Sequence, residues 1–363
     1  MRKIQGFFIA FFLFLISSNL FAQEKTENVI IITTDGFRWQ EMFGGMDSSI
    51  ANKSKFNQGD SDYIFQKYWA KYAEERRKKL LPFIWNTVAS NGQIYGNRNL
   101  GSRVNVSNPY WFSYPGYSEI FCGYVDTAIN SNSYTYNPNT TVLQFINRQP
   151  KFKNSVAAFA AWQAFDKILN KAGCGFPVTA AFETTGGSNP TEKEQLINAM
   201  LKDSYQPWGD DECLDVFTHY EAIEYLKTLK PKVLYIAYGE TDDWAHGGHY
   251  KDYLEAAHHF DEWVKNIWNY VQREPQYKNK TSLFITVDHG RGTGEEWTSH
   301  GNEIQGSDQI WFAVMGPDTP AKGEIKTESQ IFQKQFAQTI ASLLGLQFSA
   351  EHPVANAIST VKK

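Results

Sequence analysis

Cysteine is scarce in this chain. Only Cys122, Cys174 and Cys213 occur among 363 residues. An odd count at such wide spacing makes neither a disulfide framework nor a zinc-cluster pattern. Cys174 and Cys213 both fall in loop-like sequence, where they can pair and leave Cys122 alone. An excess of one charge is missing as well. Lys+Arg 35 against Asp+Glu 39 gives a net −4, and no Lys/Arg block is long enough to make a local basic field. Nucleic acid is therefore not an expected partner. Long apolar runs are missing too. The longest, Phe7 to Ile16, is too short to span a bilayer. No repeat of fixed period and no low-complexity tract appears. With 42% hydrophobic and 20% charged residues the chain is neither disordered nor a multi-span membrane protein.

Aromatic residues are abundant, at 15% of the chain. Most of them are expected to pack the core and its loops, and the sharper reading is an aromatic-walled cleft for an organic ligand. Arg2 and Lys3, then the short apolar run, then Ser17-Ser18-Asn19-Leu20-Phe21-Ala22, have the three-part layout of a secretory signal. Residues 1–22 are thus expected to be a signal peptide cut after Ala22, with 23–363 as a single exported domain. Export takes the chain to the periplasm or the medium.

Near-continuous apolar runs at 29–33, 155–160, 233–237 and 282–287 read as strands of a parallel sheet buried on both faces, with 309–315 a fifth. Helical patterns lie near 76–90, 140–148, 191–203, 218–229, 250–273 and 328–345. The 250–273 segment carries Tyr253, Ala256, Ala257, Phe260, Val264, Ile267 and Val271 at three-and-four spacing. This alternation predicts an α/β/α sandwich around a mostly parallel sheet. Residues 44–75 and 175–215 are polar and lack strong periodicity, and are read as insertions over one edge of the sheet near the active site.

Ligands of such sheets bind beyond the carboxyl ends of the strands. The residues there are Asp35, then Asp242 with His246 four positions on, then Asp288-His289, and then His300. Taken singly, each has an ordinary reading. An Asp after a strand often caps a helix, and a lone His is more often hydrogen-bonded than ligating. His219, His258, His259 and His352 are left in that ordinary class. Three strands delivering Asp and His to one edge is a different matter, because Asp and neutral His are ligands for zinc or a similar divalent ion.

In order along the chain, Thr34-Asp35-Gly36-Phe37-Arg38, Ser113-Tyr114-Pro115-Gly116-Tyr117, Asp242 through Gly248, Asp288-His289-Gly290 and Ser299-His300-Gly301 resemble the alkaline phosphatase superfamily. The likeness is closest to its type I phosphodiesterase and nucleotide pyrophosphatase branch. The resemblance implies two divalent ions, most readily Zn2+. One would be held by Asp242, His246 and His300. The other would be held by Asp35, Asp288 and His289, with Ser113 as bridging nucleophile. Two ions that close can clamp the attacking and leaving oxygens of an in-line displacement. Metal coordination is one way to activate a serine hydroxyl. Asp243 competes with Asp242 as ligand, and His249 is a candidate extra ligand or substrate contact. Arg38 is either a phosphate contact or half of a structural salt bridge. Glu240 and Glu295 read as loop carboxylates, and Lys167 as a helix-surface residue.

The strand at 155–160 is followed by no Lys-x-Arg pair of the kind that holds phosphate monoesters in the superfamily, and Tyr117 stands where sulfatases carry Arg. A monoester dianion gains more from an extra cation than a diester monoanion does. The expected substrate is therefore a small phosphodiester or nucleotide-type ester, cleaved through a phosphoserine. A phosphomonoesterase is the alternative, and an exported glycan-binding protein without catalysis is the rival from another class.

Overall fold

In the computed structural model, which describes residues 25–362, the β-branched runs form the centre of an eight-stranded sheet. The strands are β1 (Asn28–Thr34), β2 (Gly92–Tyr95), β3 (Ser102–Asn105), β4 (Val156–Ala160), β5 (Val178–Ala180), β6 (Val233–Tyr238), β7 (Thr281–Thr286), β8 (Gln309–Ile310), β9 (Phe312–Met315), β10 (Gly323–Glu324) and β11 (Ser329–Phe332). The main sheet runs β10-β2-β9-β7-β1-β6-β4-β5, and β11-β3-β8 form a small second sheet. In the main sheet β9 alone runs against its neighbours, β2 and β7. Every residue of β1, β4, β6 and β7 is buried, as strands covered on both faces require. Ile31 lies between Tyr235 and Phe284 in the register. That register brings the carboxyl ends of β1, β6 and β7 side by side.

The expected fold class is observed, with instructive departures. The apolar run 309–315 is two strands. β8 pairs with β3 in the small sheet, whereas β9 pairs with β2 and β7. The segment expected as one helix over 328–345 is β11, pairing parallel with β3, followed by the helix Phe336–Leu343. Both departures come from pairing with β3, more than 200 residues away in sequence, which no local periodicity reports. The helix expected near 76–90 stops at Leu80 before Pro82, whose ring cannot continue it, and the chain restarts as a π turn over Ile84–Val88. The stripe of the helix Tyr250–Val271 is buried as its spacing demands.

The two polar insertions are ordered. Residues 44–75 form the short helices Ser48–Ala51, Ser54–Asn57 and Ser61–Tyr68. They lie over the helix Tyr250–Val271 through the pairs Lys67–Glu255 and Lys251–Asp60, and Phe56 packs edge-on against Trp297. Residues 175–215 contribute the edge strand β5 and the helix Glu192–Lys202, started by a Thr191/Glu194 capping box. Cys122, Cys174 and Cys213 are all buried free thiols, so the Cys174–Cys213 pairing is not observed. The expected signal segment 1–22 lies outside the described residues. Among those residues no helix is long and apolar enough to cross a membrane.

Candidate active site

Asp35 follows β1, Asp242 and His246 lie on the short helix Glu240–His246 after β6, and Asp288-His289 follow β7. His300 arrives on the loop after the 3₁₀ turn Gly294–Thr298. The fold brings all six together. His289 Nε2 lies 3.2 Å from Asp35 Oδ1, 3.4 Å from Asp288 Oδ2 and 3.8 Å from Asp242 Oδ1. His246 Nε2 is 3.0 Å from both Asp242 Oδ2 and His300 Nε2. Two sets have the mutual spacing of a metal site, Asp35/Asp288/His289 and Asp242/His289/His300, so His289 stands where they meet. Depth differs across the pair. Asp288 and His289 are fully buried, whereas the His246 side chain is 48% exposed.

Ser113 is the first residue of the helix Ser113–Cys122, one position after the capping site. The cap is Phe112, which makes no side-chain capping bond. The Ser113 hydroxyl is thus not spent on the helix, and Oγ lies 3.4 Å from His289 Nε2. The backbone amides that follow it are already engaged and not free for an anion. Tyr114 N–H donates to Asn132 Oδ1, Pro115 has none, and Gly116 N–H donates to Phe112 O. Gly116 itself is dictated by contact, because a Cβ there would lie 2.5 Å from the Asp288 carbonyl.

The electrostatics are those of ligands crowded together out of water. Burial, reinforced by Asp35, pushes the Asp288 carboxyl up to about 8. Burial alone would pull the His289 imidazole down, but Asp288 and Asp35 override it and hold it up at about 9. Burial and the neighbouring His289 cation push His300 and His246 below the ordinary histidine range. Asp35 Oδ1 and Asp288 Oδ2 are buried without a hydrogen bond of proper geometry. Buried polar atoms are nearly always satisfied, and these orphaned carboxylate oxygens beside an imidazole fit a divalent cation.

Several open choices resolve. Asp242, not Asp243, faces the histidines; Asp243 turns away towards Glu212, with burial pushing its carboxyl up to about 7. His249 joins neither set, but approaches Asp252 at 3.3 Å and stacks on Trp244. Glu240 accepts from Asp215 N–H, and Glu295 is a surface partner of Lys53. Arg38 is fully occupied by Glu41 and the Gly292 carbonyl, which makes it structural. Lys167 is exposed.

Two contacts of the site were not anticipated. Tyr117, buried, donates its hydroxyl to Asp35 Oδ2 at 3.0 Å. Arg291, fully buried, contacts Asp242 Oδ1 through Nη1. A charged residue inside Gly290-Arg291-Gly292, directly after the Asp288-His289 strand end, was the available signal for the second.

A family model described as Sulfatase matches residues 27–346. No curated protein matches the chain. Among solved structures, the alkaline phosphatase PafA superposes with a TM-score of 0.59 at 10% identity, covering 93% of this chain and 99% of that one. A 2-O GAG sulfatase gives 0.56 at 13% identity, covering 91% of this chain and 73% of that one. The murine ectonucleotide pyrophosphatase/phosphodiesterase 5, in an inactive form in complex with AMP, gives 0.53 at 12% identity, covering 91% and 97%. At such identities these likenesses are ones of fold.

Proposed function

The chain belongs to the sulfatase family, within the alkaline phosphatase superfamily of hydrolases, and on that premise we propose that it is an exported two-metal hydrolase of phosphodiester or nucleotide-type esters. The superfamily resemblance holds, although the family model matched is that of the sulfatases and not of the phosphodiesterases. The observation that carries the proposal is the Ser113 hydroxyl. It is buried, free of any capping role, and 3.4 Å from the histidine at which both ligand sets meet.

In this reading Asp35, Asp288, His289 and Ser113 would hold one divalent ion, and Asp242, His246 and His300 the other, with zinc the preferred metal. The ions would stabilise the charge on the attacking and leaving oxygens and make the serine hydroxyl easier to deprotonate. Ser113 Oγ attacks phosphorus, the bond to the leaving oxygen breaks, and a phosphoserine forms. Water then attacks phosphorus, releases the product and restores the hydroxyl. Tyr117 steadies Asp35 from below through Oδ2.

The preference for a singly charged ester is supported by where the cations are. Arg38 and Arg291 are buried and fully occupied within the protein, and Lys167 points to solvent. None is placed to meet the second charge of a monoester. A sulfate ester is the second reading, favoured by the family match; against it, Tyr117 occupies the sulfatase Arg position and is spent on Asp35.

The test compares nitrophenyl phosphate diester, phosphate monoester and sulfate on zinc-loaded protein, with Ser113→Ala as the blank. The expected result is a diester preference of about tenfold or more, worth ~1.4 kcal/mol in barrier. Faster monoester or sulfate hydrolysis overturns the assignment.

A further inference from the structure

Arg291 is a buried arginine that touches the candidate metal ligand Asp242. Its side chain is fully buried, and its fork is divided among three partners. Nε donates to the Trp297 carbonyl at 3.0 Å, Nη2 to the Thr298 carbonyl at 2.6 Å, and Nη1 to Asp242 Oδ1. Trp297 and Thr298 belong to the turn that delivers His300 two residues later. One guanidinium therefore ties the helix carrying Asp242 and His246 to the loop carrying His300, and both to the end of β7. Space for the pair comes from Gly36, which has φ +56°. A Cβ there would lie 2.5 Å from Asp242 Oδ1 and 2.9 Å from Arg291 Nη1.

With Oδ1 taken by Arg291, Asp242 has one oxygen left. Oδ2 lies 3.0 Å from His246 Nε2, which is itself 3.0 Å from His300 Nε2, while Oδ1, held by Arg291, also lies 3.6 Å from His300 Nε2. Resting on the two-metal reading above, we propose that Arg291 is a positioning residue that makes Asp242 a single-oxygen ligand. Asp242 Oδ2, His246 Nε2 and His300 Nε2 would then be the three protein donors to the outer ion. Three ligands and an open position is the low coordination that suits catalytic zinc. A carboxylate free to use both oxygens would raise the coordination number and favour the larger, oxygen-preferring cations. The planar fork matters here as well as the charge, since a lysine ammonium cannot hold two carbonyls and a carboxylate in one plane.

The experiment replaces both ions with cobalt(II), whose visible absorption is strong when four-coordinate and weak when six-coordinate. Wild type should show a strong band for at least one of two bound ions. Arg291→Met should lose that band several-fold and bind one zinc ion about 10- to 100-fold more weakly, as loss of an outer partner of a ligand typically does. The second ion should be held as in wild type. Arg291→Lys should restore the charge but not the band. A Met variant with two wild-type sites overturns the inference, and so does full restoration by lysine, while the two-metal reading survives either result. A wild-type protein that binds no metal overturns the two-metal reading and the inference with it. Should neither variant fold, the wild-type spectrum decides, because two weak six-coordinate bands overturn the single-oxygen assignment and a strong band supports it.

Discussion

Two buried charged clusters sit within six residues of each other after β1, and they are built on opposite principles. Around Arg38 the polar atoms are satisfied by the protein. The guanidinium binds Glu41 and the Gly292 carbonyl, and Glu41 also accepts from Tyr250 and Tyr253. Around Asp35 the balance is open. Three carboxylates converge on His289, and Asp35 Oδ1 and Asp288 Oδ2 have no proper donor. A closed network spends its charges on holding the fold. An open one holds its charges ready for something the chain does not supply. Arg38 and Asp35 belong to the same sequence motif, and only their surroundings separate a brace from a candidate ligand.

The sharpest way to break this contrast is at the nucleophile. Ser113→Ala should lower turnover by about 10³-fold or more, with thermal stability unchanged and the ion still bound through Asp35, Asp288 and His289. Turnover near wild type would remove Ser113 from the chemistry. Next is the closed cluster. Glu41→Gln strands the buried Arg38 cation and should cost about 3–5 kcal/mol of unfolding free energy, measured by denaturant titration. A loss under ~1 kcal/mol would mean that the Arg38 network is not a brace. The open cluster should answer with the opposite sign. Asp288→Asn removes a carboxylate crowded by Asp35, so the metal-free variant should be at least as stable as metal-free wild type while binding one ion fewer. Retention of both ions would remove Asp288 from the ligand set.

The pH dependence sharpens the contrast further. The Asp288 carboxyl is held up at about 8 in the folded, metal-free site, against roughly 3.9 in an unfolded chain. A raised group of this kind contributes stability that is complete below the unfolded value and drains away as pH rises through the folded one. His289, held up at about 9 against roughly 6.5 unfolded, loses its contribution in the same direction. The melting temperature of metal-free protein should therefore fall from about pH 6 to about pH 9 relative to loaded protein. A constant gap between the two would mean that these groups are not coupled to the ions. The smallest effect is expected at Lys167, which is exposed and far from any role in the site. Lys167→Ala should change monoester KM and kcat by less than about twofold.

Much of the site was legible because its ligands follow strand ends, and strand ends can be read from where apolar runs stop. Asp35, Asp242, His246, Asp288, His289 and His300 were all placed together for that reason, and the structure brings them within reach of one another. Arg291 was not found. A buried arginine carries no period and no ligand spacing, and its meaning lies in Asp242, Trp297 and Thr298, which it meets only after folding. The same limit explains the errors in the fold. Residues 309–315 and 328–345 were misread because both pair with β3, and a pairing partner some 200 residues away leaves no local mark.

The sequence by itself determined the central strands, the amphipathic helix Tyr250–Val271 and which Asp and His residues cluster at the strand ends, because burial on both faces and burial on one face each impose a period on the chain. Tertiary structure alone decided that Arg38 is a brace, that Arg291 meets Asp242, and that the Ser113 hydroxyl is free of the helix cap. Each of these turns on which partner a polar group meets when water is removed, and that partner is chosen by packing.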